Sequence, residues 1–176
     1  MDFSFFIGLI GSLVLVTGAA WPESKKPQHP TQSIKNWLFA IGSSFMMAYA
    51  ILGYLSGGSI FFVFLQILVA ISTILMMLDI DDRIDMILLT ISSVILIIWS
   101  MYLFQGYTTL FFILGLAGIG FGYAFKMGTT RRNLALTLGS ALISFFSYIE
   151  KNWMFFVLNL FFAIFSAYYL QKNHHS

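Results

Sequence analysis

The sequence predicts an all-α integral membrane protein, and three observations support this class. Hydrophobic residues make up 59% of the 176 residues and charged residues only 9%, whereas a soluble domain has roughly 25% charged residues. The apolar residues form continuous runs of about 20, the length that an α-helix needs to cross a bilayer core. These runs do not alternate apolar and polar residues, as a transmembrane β-strand would require.

Seven runs fit a membrane-spanning helix, and we expect all seven to cross the bilayer. They lie at residues 3–21, 37–56, 59–78, 86–104, 108–126, 134–149 and 153–170. Only Met1 and Asp2 precede the first run in this sequence, and neither is Lys or Arg. A signal peptide begins with a positively charged region, so we interpret this run as a retained helix.

The basic residues predict the orientation of the chain. With seven spans, eight of the nine Lys and Arg residues fall on one side of the membrane, and only Lys151 falls on the other. The eight are Lys25, Lys26, Lys35, Arg83, Lys126, Arg131, Arg132 and Lys172. Because cytoplasmic loops carry the excess of Lys and Arg, we expect the N-terminus outside and the C-terminus in the cytoplasm. The membrane is then a plasma membrane or a bacterial inner membrane.

Charge and cysteine content exclude several classes of function. A net charge of +2 leaves no basic face for a nucleic acid. The chain has no cysteine, so it has no thiolate metal site and no Cys nucleophile. No Asp, Glu, His, Lys or Arg lies in the middle of any run. We therefore expect no enzyme activity, no cofactor, no metal and no proton coupling.

The two ends of the chain resemble each other, which predicts an internal repeat. Three pairs of segments align in the same order, namely 8–11 with 115–118, 36–43 with 133–140, and 65–73 with 158–166. The organisation is then a triple-helix repeat at 1–78, a linker helix at 86–104, and a second triple-helix repeat with a short tail at 108–176. A single linker helix makes the two repeats parallel.

Neutral polar residues mark the candidate site. Gln66 and Thr73 share one face of the third helix, and Asn159 and Ser166 repeat this spacing in the seventh. A buried amide is costly without a hydrogen bond, so we expect both faces to line the bundle interior or a watery cavity. The candidate substrate-binding residues are Asn159, Gln66, Ser140, Ser166 and Thr73. The alternative is that these residues only join helices to each other.

This 3+1+3 arrangement resembles the SWEET, SemiSWEET and PQ-loop (MtN3-like) transporters, whose repeat axis lies along the membrane normal. Nicotinamide riboside transporters of the PnuC type share the plan and are the nearest alternative. Asn159 stands where the family places a substrate-facing Asn, and Gln66 stands at the equivalent place in the first repeat. The helix prolines of the family are absent, since all three prolines lie in one predicted loop, at 22, 27 and 30. The one Pro-Gln dipeptide, at 27 and 28, lies in that loop rather than in an apolar run.

The resemblance implies a facilitative uniporter that moves a neutral or polar small molecule by alternating access. A sugar, a nucleoside or a vitamin would fit. The alternative is a non-transporting membrane scaffold, or a subunit with the same fold that binds lipid or a partner. Membrane lipid is an expected partner in either case. Gly118 to Gly122 is a G-x-x-x-G spacing, which leaves a homodimer open beside a monomer.

Overall fold

The computed structural model describes residues 3–21, 29–78, 80–126 and 129–174. Within them the chain forms seven α-helices, a 3-10 helix at Pro30–Gln32, and no β-strand. The α-helices are α1 (Phe3–Ala20), α2 (Ile34–Leu55), α3 (Phe61–Met77), α4 (Asp82–Tyr102), α5 (Tyr107–Ala124), α6 (Thr130–Ile149) and α7 (Trp153–His174). Each coincides with one predicted run, so the all-α class is confirmed for the described residues.

Five of the seven helices are long and apolar enough to cross a membrane. The other two are α3, which has 17 residues, and α6, whose first turn carries Arg131 and Arg132. Large aliphatic side chains are exposed, for example Ile98 at 61% and Leu114 at 58%. A surface of this kind suits hydrocarbon rather than water. The chain is therefore a helical membrane protein.

Three helices begin three or four residues earlier than their apolar runs predict. For example, α2 begins at Ile34, three residues before the run at 37–56. In each case the preceding residue is polar, and its side chain accepts a hydrogen bond from a backbone N–H in the first turn. These capping residues are Ser33 before α2, Asp81 before α4 and Thr129 before α6. Hydropathy marks the apolar part of a helix and misses the polar first turn that such a cap stabilises.

The helices fall into two compact units, Met1–Ile80 and Asp81–Ser176. In the first unit α2 packs against both α1 and α3. In the second unit α4, α5, α6 and α7 pack in chain order, each against the next. The helix that we expect to be a linker, α4, therefore packs with the second unit, through its contact with α5.

In the first unit, glycines bring the backbones of α1 and α2 into contact. A Cβ atom at Gly42 would lie 2.9 Å from the backbone nitrogen of Leu15 and 3.1 Å from the carbonyl oxygen of Gly11. A Cβ atom at Gly11 would lie 3.0 Å from the backbone nitrogen of Met46. Small residues let membrane helices approach this closely, and van der Waals packing then holds the helices together.

In the second unit, α5 and α6 cross in the same way. A Cβ atom at Gly139 would lie 2.6 Å from the backbone nitrogen of Ile119 and 2.9 Å from the carbonyl oxygen of Gly115. A Cβ atom at Gly115 would lie 3.0 Å from the backbone nitrogen of Ile143. Neither glycine can accept a side chain unless the two helices move apart.

One amide side chain connects the start of α2 to the end of α3. The Nδ2 of Asn36 donates to the carbonyl oxygen of Pro30 at 3.0 Å and to that of Met76 at 3.4 Å. The Met76 carbonyl belongs to the last turn of α3, where carbonyl groups have no partner within the helix. Asn36 therefore holds the 3-10 helix and the end of α3 against α2.

We expect Gly139→Ala to destabilise the protein by about 1–3 kcal/mol, the usual cost of adding a methyl group to a closely packed interior. The reason is that the new methyl group would meet the backbone of α5. The measurement is the free energy of unfolding in detergent. The matched control is Gly53→Ala in α2, where a Cβ atom would have nothing within 4 Å. Equal stability of Gly139→Ala and the parent protein would contradict the described crossing.

Candidate functional site

All five candidate site residues are buried, with exposed fractions between 2% and 8%. Gln66 and Thr73 lie on α3 in the first unit. The second unit holds the other three, Ser140 on α6 and Asn159 and Ser166 on α7. The predicted burial of these polar side chains is confirmed. The common site that the two groups were predicted to form remains a prediction, because the groups belong to different units.

Gln66 has the most unusual environment of the five. Its side chain is 2% exposed, and its Oε1 has no hydrogen-bond partner among the described residues. Its neighbours Leu65 and Leu68 are also fully buried. Leaving a buried carbonyl oxygen unsatisfied costs about 1–3 kcal/mol. Such groups in native proteins call for an explanation such as a water molecule or a ligand. Gln66 is therefore the strongest candidate for a ligand contact.

Asn159 is satisfied in part by its own helix. Its Nδ2 donates to the carbonyl oxygen of Phe155, one turn earlier in α7, at 2.8 Å. An Asn side chain has one carbonyl oxygen and one NH₂ group. The bond to Phe155 uses the NH₂ side, so the carbonyl oxygen is the part of Asn159 suited to accept a further hydrogen bond.

Hydroxyl groups on α2 and α3 also donate to their own helices. Thr73 Oγ1 donates to the carbonyl oxygen of Val69 at 2.8 Å. Ser43 and Ser44 both donate to the carbonyl oxygen of Ala40, at 3.1 and 2.8 Å. Ser and Thr in membrane helices commonly form such bonds. Each hydroxyl has only one proton, so these three oxygens can bind a further group only as acceptors.

A groove of about 430 Å³ lies between α2 and α3. Its lining residues are Ala40, Ser43, Ser44, Met47, Ala70, Thr73, Ile74, Met77 and Leu78. As far as residue 78 and over the other described segments, the lining contains three hydroxyl groups and no charged side chain. Among the candidate site residues, Thr73 is the one that lies in this groove. The sequence did not indicate that Met47 and Met77 share a site with it, because spacing within one helix does not show which helix packs opposite.

In the second unit a side-chain hydrogen bond joins α6 to α7. Ser144 Oγ donates to the carbonyl oxygen of Phe156 at 3.1 Å. Ser140 lies one turn before Ser144 on α6 and is 3% exposed. These serines therefore lie on the buried part of α6, and Ser144 serves the helix-joining role that was the alternative interpretation for the neutral polar residues.

The polar interior of the described residues is neutral except at the start of α4, where the Oδ1 of Asp85 is buried without a hydrogen-bond partner among them. The buried polar side chains found there are all Ser, Thr, Asn or Gln. The described residues contain no group of three or more His, Cys, Asp or Glu side chains placed to hold a metal ion. Hydrogen bonding, rather than charge, is the chemistry that these interiors offer to a ligand.

No protein-family model, no curated protein and no solved structure matches the chain. The function is therefore argued from the packing and the buried polar groups.

We expect Gln66→Met to raise the free energy of unfolding by about 1–3 kcal/mol, the cost of an unsatisfied buried polar group. Met is also unbranched, so it removes the buried Oε1 with little change of shape. The control is Thr73→Val on the same helix, which removes a hydroxyl that already has a partner. Unfolding in detergent measures both variants. A loss of stability in Gln66→Met would mean that the amide has a partner in the folded protein.

Proposed function

We propose that the protein is a small facilitative transporter of the SWEET and PQ-loop type. Helices α1 to α3 form one triple-helix repeat, α4 is the linker, and α5 to α7 form the second repeat, parallel to the first. The substrate is a neutral or polar small molecule such as a sugar, a nucleoside or a vitamin. The PnuC type of transporter has the same plan and remains within this proposal.

The observation that carries the proposal is that the helix crossings of the two units match residue by residue. Gly42 packs on Gly11 and Leu15, and Gly139 packs on Gly115 and Ile119. In α2 and α6 the equivalent glycines are 97 residues apart, from Gly42 to Gly139. In α1 and α5 the equivalent pairs are 104 residues apart, from Gly11 to Gly115 and from Leu15 to Ile119. A match of this kind is expected of an internal repeat.

These contacts change the alignment of the first helix of each repeat. The sequence pairs residues 8–11 with 115–118, whereas the packing pairs Gly11 with Gly115. Both segments have glycines three residues apart, so a shift of three residues still pairs one glycine with another, Gly11 with Gly115, although Gly8 and Gly118 lose their match. In the packing register the equivalent of Gly8 is Phe112. The ring centroid of Phe112 lies 5.2 Å from that of Phe146. Gly8, in contrast, lies against the ring of Tyr49.

The third helices add a second match. Asn159 follows Gln66 by 93 residues, and Ser166 follows Thr73 by the same number. All four side chains are buried. Polar side chains inside a membrane are costly and are functional-site candidates, and here a buried amide and a buried hydroxyl recur at equivalent places of the proposed repeats.

In this proposal each repeat moves as one body. The glycine crossings keep the backbones of α1 and α2, and of α5 and α6, too close for them to slide separately. Rocking of one repeat against the other exposes the site to each side of the membrane in turn. With a neutral interior, the solute moves down its own gradient. The orientation we propose keeps the N-terminus outside and the C-terminus in the cytoplasm, in a plasma membrane or a bacterial inner membrane.

The test is uptake into sealed liposomes from a panel of sugars, nicotinamide riboside and other neutral metabolites. We expect saturable uptake that Gln66→Ala and Asn159→Ala reduce by about 5- to 150-fold. This range corresponds to the loss of about 1–3 kcal/mol in one substrate hydrogen bond. The control is Gln105→Ala, which changes an exposed side chain between α4 and α5. Uptake unaffected by either amide variant would contradict the proposed site.

A second candidate function is a non-transporting membrane scaffold. The observation in its favour is that buried polar groups are used to hold helices, as in the Ser144 to Phe156 bond and the Asn36 bonds. The same assay separates the two functions. No uptake across the panel, from protein shown by its unfolding transition to be folded, would favour the scaffold.

A further inference from the structure

We propose that the groove between α2 and α3 binds a neutral solute that has an apolar body and donates hydrogen bonds. This inference rests on the proposed function, since the groove would be the part of the transport path that leads to Gln66. It adds the chemical class of the ligand and a location within the first unit.

The size and the walls of the groove suit a small amphipathic molecule. Its volume of about 430 Å³ lies within the range of about 300–1,000 Å³ that is usual for small-molecule sites. The walls are mainly apolar, with Met47 and Met77 on α2 and α3 and the small residues Ala40 and Ala70. Methionine side chains are flexible and polarizable, so they adapt to flat or irregular apolar bodies.

The hydrogen bonds of the lining determine what the ligand must supply. Ser43, Ser44 and Thr73 have each given their hydroxyl proton to a backbone carbonyl of their own helix. Their oxygens therefore present only lone pairs to the groove. A ligand that contributes N–H or O–H groups is complementary to this lining.

Charge on the ligand is unfavourable in this groove. None of the lining residues in the described part of the chain carries a charge. An ion that entered would lose water without gaining an opposite charge, and burial of an unpaired charge is costly. The ligand is therefore neutral.

Gln66 lies on the same face of α3 as two of the groove residues. Gln66, Ala70 and Thr73 stand at positions i, i+4 and i+7, so they share one face of α3. Ala70 and Thr73 line the groove. Gln66 lies one turn before Ala70 in the chain, and its buried Oε1 has no hydrogen-bond partner among the described residues. A donor group that advances past Ala70 would supply the hydrogen bond that Gln66 lacks.

The experiment uses single cysteines, for which this chain is well suited because it contains none. N-ethylmaleimide reacts with the thiolate, which forms where water reaches the thiol. We expect Ala70→Cys and Ser44→Cys, at two lining positions that are not buried, to react in detergent-solubilised full-length protein. Gln32→Cys, at an exposed position in the 3-10 helix, is the reactive reference. The unreactive reference is Ile41→Cys. Ile41 is exposed on α2 but does not line the groove, so we expect detergent to cover it.

Three probes then test the class of the ligand by protection of the groove cysteines. Indole is neutral, apolar and has one N–H donor, 1-methylindole lacks the donor, and indole-3-carboxylate is an anion. We expect indole to protect at a concentration about fivefold lower than 1-methylindole, the ratio that one hydrogen bond of about 1 kcal/mol provides. The anion should protect least.

Unreactive cysteines at both groove positions, with a reactive Gln32→Cys, would overturn the groove as a water-accessible site. Equal protection by indole and 1-methylindole, or stronger protection by the anion, would overturn the proposed ligand class. Labelling does not depend on uptake. Protection by indole in a protein that transports nothing would therefore disprove the transporter function and leave the groove as a binding site.

Discussion

The contact between helix backbones at the glycine crossings is the constraint on which the rest of the structure depends. Helices in hydrocarbon gain no hydrophobic free energy when they associate with each other. Close van der Waals packing must therefore hold them together. At Gly42 and Gly139 the approach is close enough to exclude even a methyl group. Because α2 presents Gly42 and Met46 to α1, its next residues Ser43 and Met47 are left to face α3 and form the groove.

The two units use the same crossing but differ at the third helix. In the register of the crossings, the equivalent of Met47 is Ser144, 97 residues later. Met47 lines the groove of the first unit, whereas Ser144 donates a hydrogen bond to Phe156 and ties α6 to α7. In the proposed repeat, the flexible thioether of Met47 and the bonded hydroxyl of Ser144 would give the two repeats different roles. The first has room for a ligand next to α3, and in the second the corresponding pair of helices is bonded together.

Hydropathy predicted the helices well because hydrocarbon requires each backbone to satisfy its own hydrogen bonds. It also predicted that Gln66 and Asn159 are buried, since an amide is expensive in lipid. It could not predict which helices pair, because the same large apolar residue types lie both in the core, as at Leu68 and Ile143, and on the exposed surface, as at Ile98 and Leu114. The register of Gly11 with Gly115, the groove beside Thr73 and the missing partner of Gln66 all depend on that pairing. These three features are visible only in the folded structure.

The length of α3 has a further consequence. At 17 residues and about 1.5 Å per residue, the helix measures about 26 Å, less than the bilayer core of about 30 Å. If α3 crosses the membrane as proposed, the surrounding lipid must become locally thinner or the flanking residues must extend into it. This helix carries both Gln66 and Thr73. The thickness of the host bilayer would then act directly on the geometry of the binding region, and lipid composition becomes a variable of its activity.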